Sequence, residues 1–271
     1  MAKYIKPTER ILNCIPSVNV EKDWEFKHAI DAELLAAPAA LPSSLDLREN
    51  WWDIGDQLDH GACVGFATAD SLMRWHFVKK NMLPATKGYA LSVRFIFMAA
   101  KEIDENPTPA TFLEEAGTSL KAGLDVARRY GCATESNLPF EPIKLYHGLP
   151  QTFYTEASKF KIANYFNLRK PRDDWGAVKN SWRTWLATTG PVMTRLGVDA
   201  TWDDADKTNG NLDVYKPNTV RGGHAIALVG YTSDRFIVRN SWGVSWGDKG
   251  FGYASEEYAK AAFTEAYGIT V

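Results

Sequence analysis

Residues 56–72, DQLDHGACVGFATADSL, place a single cysteine, Cys63, between a turn of small residues and an uninterrupted run. Gly61 and Ala62 allow a tight turn, and residues 66–80 contain neither glycine nor proline, which predicts that Cys63 lies near the start of a helix. The amides and the dipole of a helix N-terminus stabilise negative charge, so this position favours a nucleophilic thiolate. The alternative is a buried cysteine that acts only as a small hydrophobic residue.

The composition is that of a folded chain without a strong charge. With 271 residues, 45% of them apolar, and a formal net charge of −2, the chain is long enough to bury a large core and is neither disordered nor fibrous. The absence of long basic runs argues against nucleic acid or an anionic membrane as a partner. Because the sequence has no signal peptide and no membrane-spanning apolar stretch, we expect a cytoplasmic protein, with unconventional export left open.

The three cysteines do not form a recognisable set. Cys14, Cys63 and Cys132 are odd in number and widely separated, so they match neither a disulfide framework nor the spacing of zinc ligands. We therefore expect reduced thiols and no metal or organic cofactor.

The pattern of apolar residues divides the chain into three parts. Residues 1–40 combine polar segments with one predicted helix in EKDWEFKHAIDAELLAA (21–37), and they are too few for a core of their own. From about residue 41 to 140, apolar residues recur at helical spacing. From about residue 141 to 271, short β-type runs such as GGHAIALVGY (222–231) alternate with turn signals. We predict an α+β fold in which a helical lobe and a strongly bent antiparallel sheet meet at a cleft.

Two residues of the strand-rich part could act with Cys63. His224 follows two glycines and precedes an apolar strand, and Asn240 lies on the next predicted strand, so a hairpin would bring them together. An asparagine oxygen on one ring nitrogen would orient the other toward the thiol. Taken singly, His224 could equally be a hydrogen-bonded core histidine, and Asn240 a turn residue.

Together these segments resemble the papain-like cysteine peptidases. LPSSLDLR (41–48) resembles the start of the mature enzymes, and the segment before Cys63 resembles the stretch that leads to their active-site cysteine. GGHAIALVGY resembles the segment that carries their histidine, and NSWGVSWG (240–247) resembles the segment that carries their asparagine. The segments follow one another in the family's order. GTSLKAGLDVARRYG (117–131) resembles the cleft-lining loop and second helix. The resemblance covers about residues 41–271 and implies a peptidase domain with a helical left lobe and an antiparallel, β-barrel-like right lobe.

The resemblance also implies roles for individual residues. Cys63 attacks the peptide carbonyl, and His224 stabilises the thiolate and then protonates the leaving amine, while Asn240 orients His224. Gln57, six positions before the cysteine, donates its side-chain amide to the developing oxyanion together with the Cys63 backbone N–H. Without the resemblance, Gln57 would be read as an ordinary surface residue.

Substrate binding follows from the same resemblance. Trp242 would cover the His224 and Asn240 pair, and the residues that would contact an extended substrate are Gly117, Thr118, Gly223, Trp242 and Arg195. Arg195 would lie near the pocket for the second substrate side chain, with Gly222 on the opposite wall, so we predict tolerance of acidic or polar side chains there. The alternative is that Arg195 points into solvent, since a shift of one residue changes the face of a strand.

The sequence departs from the family at three places. His60 replaces a cysteine, so the family's usual disulfide at this point cannot form, and Val64 replaces an aromatic residue. His224 lies about 160 residues after Cys63, beyond the roughly 130–150 of papain and the cathepsins. The acidic stretch GVDATWDDADKTNGNLDVY (197–215) accounts for part of the excess and is predicted to be a surface loop.

These observations leave several functions open. The first is a monomeric cysteine peptidase acting on peptides or proteins. Its short extension, residues 1–40, would lie across or beside the cleft as an intramolecular inhibitor, with ILNCIPSV (11–18) in contact; a leader with no role is the alternative. The others are an inactive peptide-binding module, supported only by Val64, and acyl transfer or deamidation by the same Cys-His pair.

Overall fold

A central helix over residues 63–79 and an eight-stranded sheet organise the fold. The computed structural model describes residues 4–35, 40–104, 117–140 and 148–271. The central helix has three contiguous segments, α-helical at Cys63–Gly65, π-helical at Phe66–Met73 and α-helical at Arg74–Lys79. Its residues are buried on every side from position 63 to position 78. A helix enclosed in this way forms the core of a lobe rather than its surface.

The other helices and the strands follow in chain order. The helices are Phe26–Asp31, Val93–Ile103, Leu120–Arg129, Pro150–Ser158, Trp175–Thr188 and Glu256–Ala262, with short 3₁₀ turns at Pro7–Glu9, Val20–Lys22, Ala200–Trp202 and Pro217–Thr219. The strands are β1 (Leu45–Asp46), β2 (Asn164–Arg169), β3 (Val192–Val198), β4 (Asn211–Leu212), β5 (Gly222–Tyr231), β6 (Arg235–Arg239), β7 (Phe251–Ser255) and β8 (Phe263–Thr270).

The strands form one open sheet in the order β2-β8-β3-β5-β6-β7-β4, and β1 pairs with the far end of β5. The pairs are antiparallel except for β4 with β7. The predicted α+β fold with two lobes is confirmed, and the sheet of the second lobe is not closed into a barrel.

Strand β5 separates two hydrophobic cores. Ala225, Ala227 and Val229 pack with the central helix, and Ile226 and Leu228 pack on the opposite face with the Trp175–Thr188 helix. This alternation is what the period of two along a strand requires when both faces are covered. It fixes His224, near the first residue of β5, at the edge where the two lobes meet.

Two parts of the chain differ from the sequence-based predictions. The helix predicted over residues 21–37 is shorter, Phe26–Asp31, and residues 36–39 lie outside the described ranges. The second lobe is rich in strands, as predicted, and it also contains the helix Trp175–Thr188, which was not predicted. Asp174 caps that helix by accepting a hydrogen bond from Ala177 N at 3.0 Å.

A buried ionic network joins the central helix to β6. Asp70 accepts from Arg74 Nη1 at 2.8 Å and from Arg239 Nη2 at 2.7 Å, and Arg239 also donates to the Asp53 carbonyl at 2.6 Å. Asp70, Arg74 and Arg239 are all buried. The network therefore fixes the end of β6, and with it Asn240, the next residue in the chain.

No helix within the described ranges is long and apolar enough to cross a membrane.

Candidate active site

Cys63 lies at the first position of the central helix, directly below the cleft between the lobes. Ala62 is the N-cap, and the Cys63 side chain is fully buried. The predicted helix start is therefore in place, and the first turn presents its unpaired amides beside the thiol. Fully buried cysteines are usually inert, so the neighbours of Cys63 decide its chemistry.

The side chains of His224 and Asn240 are in contact, as predicted from the neighbouring strands that precede and follow the turn between them. His224 Nε2 and Asn240 Oδ1 are 2.8 Å apart, and the same Oδ1 accepts from Ser241 N at 2.8 Å. Because Asn240 can only accept through this oxygen, His224 Nε2 carries the proton. The other ring nitrogen, Nδ1, has no well-formed hydrogen bond within the described ranges and is left for Cys63.

The surroundings favour the thiolate form of Cys63. Its pKa is lowered well below the ordinary value because the Cys14 thiol donates a hydrogen bond to it and because His224 lies beside it, and these effects outweigh burial. The pKa of Cys14 is raised, mainly by burial and by its contact with Cys63. Both shifts therefore favour ionisation of Cys63 over ionisation of Cys14.

Gln57 is held in place by hydrogen bonds with residues of both lobes and of the extension. Its Oε1 accepts from Ser241 Oγ at 2.9 Å, and its Nε2 donates to His60 O at 3.0 Å and to Ile11 O at 3.5 Å. The side chain is fully buried, unlike the surface residue that its sequence context alone would indicate. The Gln57 Nε2 group therefore already donates to a peptide carbonyl, that of Ile11 in the extension.

Tryptophans surround the His224 ring. Trp242 lies with its ring centroid 5.0 Å from that of His224, and Trp202 packs edge-on at 5.7 Å. Trp202 belongs to the stretch predicted as a surface loop, and for this residue the prediction is wrong, since its side chain is fully buried. Its Nε1 donates to Tyr258 Oη at 2.9 Å, and Tyr258 in turn donates to the buried Asp199. No local sequence pattern predicts this support of His224.

Residues of the extension lie in the cleft. Cys14 N donates to Gly223 O at 3.0 Å, and on the other wall Ile15 N donates to Thr118 O at 3.0 Å and Thr118 N to Asn13 O at 3.3 Å. The segment therefore pairs through its main chain with a residue from each lobe.

Three glycines let the extension approach closely. A Cβ on Gly223 would lie 1.9 Å from Cys14 O, and a Cβ on Gly222 would lie 2.4 Å from Leu12 O. A Cβ on Gly117 would come within 2.8 Å of the extension's main chain. Any side chain at these positions would push a backbone out of the cleft, so the glycines define a channel for an extended chain.

The remaining predicted substrate-binding residues differ in orientation. The Thr118 hydroxyl donates to Asp104 Oδ2 at 3.0 Å and is buried, so only its main chain faces the cleft. Arg195 points into the cleft rather than into solvent, and its Nε donates to Cys14 O at 3.0 Å. Glu265 lies 4.0 Å from the same guanidinium, a second charge that sequence reasoning missed.

Replacing Asn240 with alanine is expected to lower kcat/KM for a peptide substrate by about 10- to 150-fold, the range for a lost hydrogen bond to a charged group. The control is Asn240→Asp, which keeps the accepting oxygen, replaces an Nδ2 that has no partner within the described ranges by a second oxygen, and adds a negative charge beside the imidazole. It should lose less than the alanine variant in steady-state assays. Equal losses in both variants would contradict the orienting role.

Within the described part of the chain, no three His, Cys, Asp or Glu side chains are grouped so that they could hold a metal ion.

Comparison with known proteins identifies the family of this chain. The sequence profile of the papain family cysteine proteases matches residues 41–269, so the chain belongs to that family. Cathepsin J of Mus musculus is 27% identical over 227 residues, covering 78% of this chain and 59% of that protein, and Cathepsin L of Sarcophaga peregrina is 23% identical over 233 residues, covering 79% and 59%. The chain thus spans about three-fifths of the length of these relatives.

Solved structures show the same fold. Xylellain, a cysteine protease from Xylella fastidiosa, superposes with a TM-score of 0.76 at 22% identity and covers 100% of this chain and 99% of that one. Digestive procathepsin L2 proteinase of Tenebrio molitor larval midgut gives a TM-score of 0.68 at 20% identity, covering 98% and 81%. At these identities the likeness defines the fold alone.

Proposed function

We propose that this chain is a cysteine peptidase that cleaves peptide bonds through Cys63, His224, Asn240 and Gln57. The observation that carries the proposal is the convergence of all four on one cleft, with Asn240 bonded to His224 at 2.8 Å and a lowered pKa at Cys63. A nucleophile, a base beside it and a residue that orients the base are the groups that covalent acyl transfer requires.

The proposed reaction uses only protein groups and water. The Cys63 thiolate attacks the substrate carbonyl, whose oxygen becomes an anion that accepts from Gln57 Nε2 and from the Cys63 backbone N–H. His224 Nδ1, which took the thiol proton of Cys63 when the thiolate formed, then gives this proton to the leaving amine. Water, deprotonated by the same nitrogen, hydrolyses the thioester and returns Cys63 to the thiolate. Trp242 and Trp202 cover the imidazole and limit competition by solvent for its hydrogen bond.

Val64 does not favour an inactive module. Its side chain is buried in the core of the helical lobe, where its Cγ1 would lie 2.8 Å from a Cβ on Gly123 of the neighbouring helix. A residue that packs between helices leaves the thiol's position unchanged, so the missing aromatic ring does not by itself disable the site.

For substrate choice, we propose that the pocket beside Arg195 accepts polar or acidic side chains. The guanidinium is mostly buried, at 16% side-chain exposure, and Glu265 at 4.0 Å balances its charge only in part. A positive group at the wall of a cleft attracts side chains of opposite charge or with hydrogen-bond acceptors.

The test of the peptidase proposal is mass spectrometry of a mixed peptide pool incubated with the reduced chain near neutral pH. Fragments produced by the wild type would support hydrolysis, and enrichment of Asp, Glu or polar residues two positions before the cut would support the Arg195 pocket. A plain preference for Leu or Phe there would contradict the pocket proposal. Joined fragments, or uncut peptides heavier by about one dalton, would instead indicate ligation or deamidation by the same acyl-enzyme.

We further propose that residues 1–40 form an inhibitory extension of a peptidase domain over residues 41–271. Several contacts support this. The main chain at residues 13–15 occupies both walls, and Ile11 O accepts from Gln57, which is required for the oxyanion. Tenebrio procathepsin L2, a structural neighbour, is described as a precursor by its name. All three cysteines are free thiols, the state that a reducing compartment maintains, and we propose such a compartment for the enzyme.

Replacing Arg10 with alanine is expected to raise kcat/KM of the full chain by about 10- to 100-fold. The Arg10 guanidinium attaches the extension to the cleft through Asp56 Oδ1, Leu58 O at 2.9 Å and Trp242 O at 3.1 Å. Losing these charge-assisted hydrogen bonds destabilises the closed form by roughly 1.5–3 kcal/mol. Steady-state peptide hydrolysis measures the change.

The matched control is Lys22→Ala, an exposed cation of the same extension that lies away from these contacts. It should leave the rate unchanged. The rate of Cys63 alkylation by iodoacetamide provides a second readout, since an opened cleft exposes the thiol. Unchanged hydrolysis and unchanged alkylation in Arg10→Ala would contradict an inhibitory extension.

A further inference from the structure

The residue of the extension that touches the nucleophile is itself a cysteine. The main chain at Cys14 is held on both sides, by the bond from Cys14 N to Gly223 O at 3.0 Å and by that from Arg195 Nε to Cys14 O at 3.0 Å. Its side chain lies against that of Cys63 and is 1% exposed, while Cys63 is fully buried. Two free thiols from segments far apart in sequence thus face each other in one enclosed space.

The two sulfurs are chemically unequal. The pKa of Cys63 is lowered, first by the hydrogen bond from Cys14, and the pKa of Cys14 is raised by burial. Oxidants attack the thiolate of such a pair, and the partner thiol then supplies the second sulfur. The third cysteine, Cys132, is engaged elsewhere, with its thiol 3.4 Å from both Ser92 O and Ala133 O.

We propose that Cys14 is a resolving cysteine that joins Cys63 in a reversible disulfide when the protein meets a peroxide. In the first step hydrogen peroxide oxidises the Cys63 thiolate to a sulfenic acid, transferring one oxygen and releasing water after protonation. In the second step Cys14 attacks the Cys63 sulfur, an S–S bond forms, and the sulfenic oxygen leaves as water. In total, two thiols and one peroxide give one disulfide and two waters.

This disulfide would act as a covalent latch on the cleft. Peroxide reaches Cys63 when the segment around Cys14 opens, and reclosure brings Cys14 back to the oxidised sulfur. The extension is then bound covalently over the nucleophile until a thiol reductant breaks the bond. The same reaction protects Cys63 from further, irreversible oxidation to the sulfinic acid. The inference rests on the proposed role of Cys63 as the nucleophile, although disulfide formation itself requires only the two thiols.

The test treats the full chain with a small molar excess of hydrogen peroxide, followed by intact and peptide-level mass spectrometry. The wild type is expected to lose two hydrogens and yield one cross-linked peptide containing Cys14 and Cys63, and dithiothreitol should restore both thiols. In Cys14→Ser, Cys63 should instead gain two or three oxygens, which dithiothreitol does not remove. Cys132→Ala is the control and should behave as the wild type.

Two results would overturn the latch: equal irreversible oxidation of Cys63 with and without Cys14, or a cross-link that includes Cys132. The mass readout does not depend on catalysis, so the two proposals fail separately. A reversible Cys14–Cys63 cross-link in a protein that cuts no peptides after reduction, even in the Arg10→Ala background, would leave the latch in place and contradict the peptidase.

Discussion

Replacing Cys63 with alanine is expected to lower kcat/KM for peptide hydrolysis by about 10⁴-fold or more. The variant lacks the only atom proposed to form the thioester, and loss of a nucleophile removes the covalent pathway while leaving binding in place. The measurement is steady-state hydrolysis of a fluorogenic peptide under reducing conditions, in the wild-type background and in the Arg10→Ala background, where the cleft should be open.

The control for this variant is Cys132→Ala, which removes a buried thiol of the helical lobe that is bonded to main-chain oxygens. It should keep its hydrolytic rate to within a few-fold. Residual cleavage by Cys63→Ala at the wild-type rate would mean that another residue, or a contaminating peptidase, carries the activity. A cleavage rate that falls equally in both variants would indicate that only the fold was harmed.

The second large effect is expected from Asp70→Asn, which should destabilise the protein by about 3–5 kcal/mol. The change removes the carboxylate that the buried Arg74 and Arg239 both contact, and it leaves Arg74 paired with the partly exposed Asp53, whose Oδ1 lies 3.2 Å from Arg74 Nη2. Breaking a buried ionic group costs more than the net gain of forming it, because the remaining charges stay desolvated. Urea denaturation followed by tryptophan fluorescence measures the difference.

The matched control is Asp46→Asn, which breaks a pair with Arg48 near the surface, where the two side chains are 44% and 31% exposed. This variant should lose less than about 1 kcal/mol. A loss at Asp70 no greater than that at Asp46 would contradict the argument. Since Arg239 precedes Asn240, Asp70→Asn should also lower activity at temperatures where the protein remains folded.

The sequence predicts the elements that depend on local patterns. The glycine and alanine before Cys63 and the run after it predict the start of the central helix, and the apolar run after His224 predicts β5. The pairing of His224 with Asn240 follows from the adjacent positions of β5 and β6. These features could be predicted because turn residues, periodicity and neighbouring strands act over short distances.

Features that depend on long-range packing could not be predicted in this way. An acidic stretch with an Asn-Gly pair is typical of an exposed loop, yet Trp202 within it is buried against His224 because Tyr258 and Trp246 bond it from distant segments. The contact between Cys14 and Cys63 likewise depends on the path of the extension. The Trp175–Thr188 helix, by contrast, had a readable signal in Asp174 followed by Val178, Trp182 and Trp185 at helical spacing.

The glycine channel has a kinetic consequence. The extension and a substrate would use the same main-chain groups of Gly223 and Thr118, so only molecules with an open channel can bind substrate. The apparent substrate affinity is then the intrinsic affinity multiplied by the open fraction of the molecules. The closed molecules therefore raise KM before they lower kcat. Because the competing segment is tethered to the enzyme, its local concentration does not fall on dilution. Inhibition of this kind depends on how much substrate is present and not on how much enzyme is present.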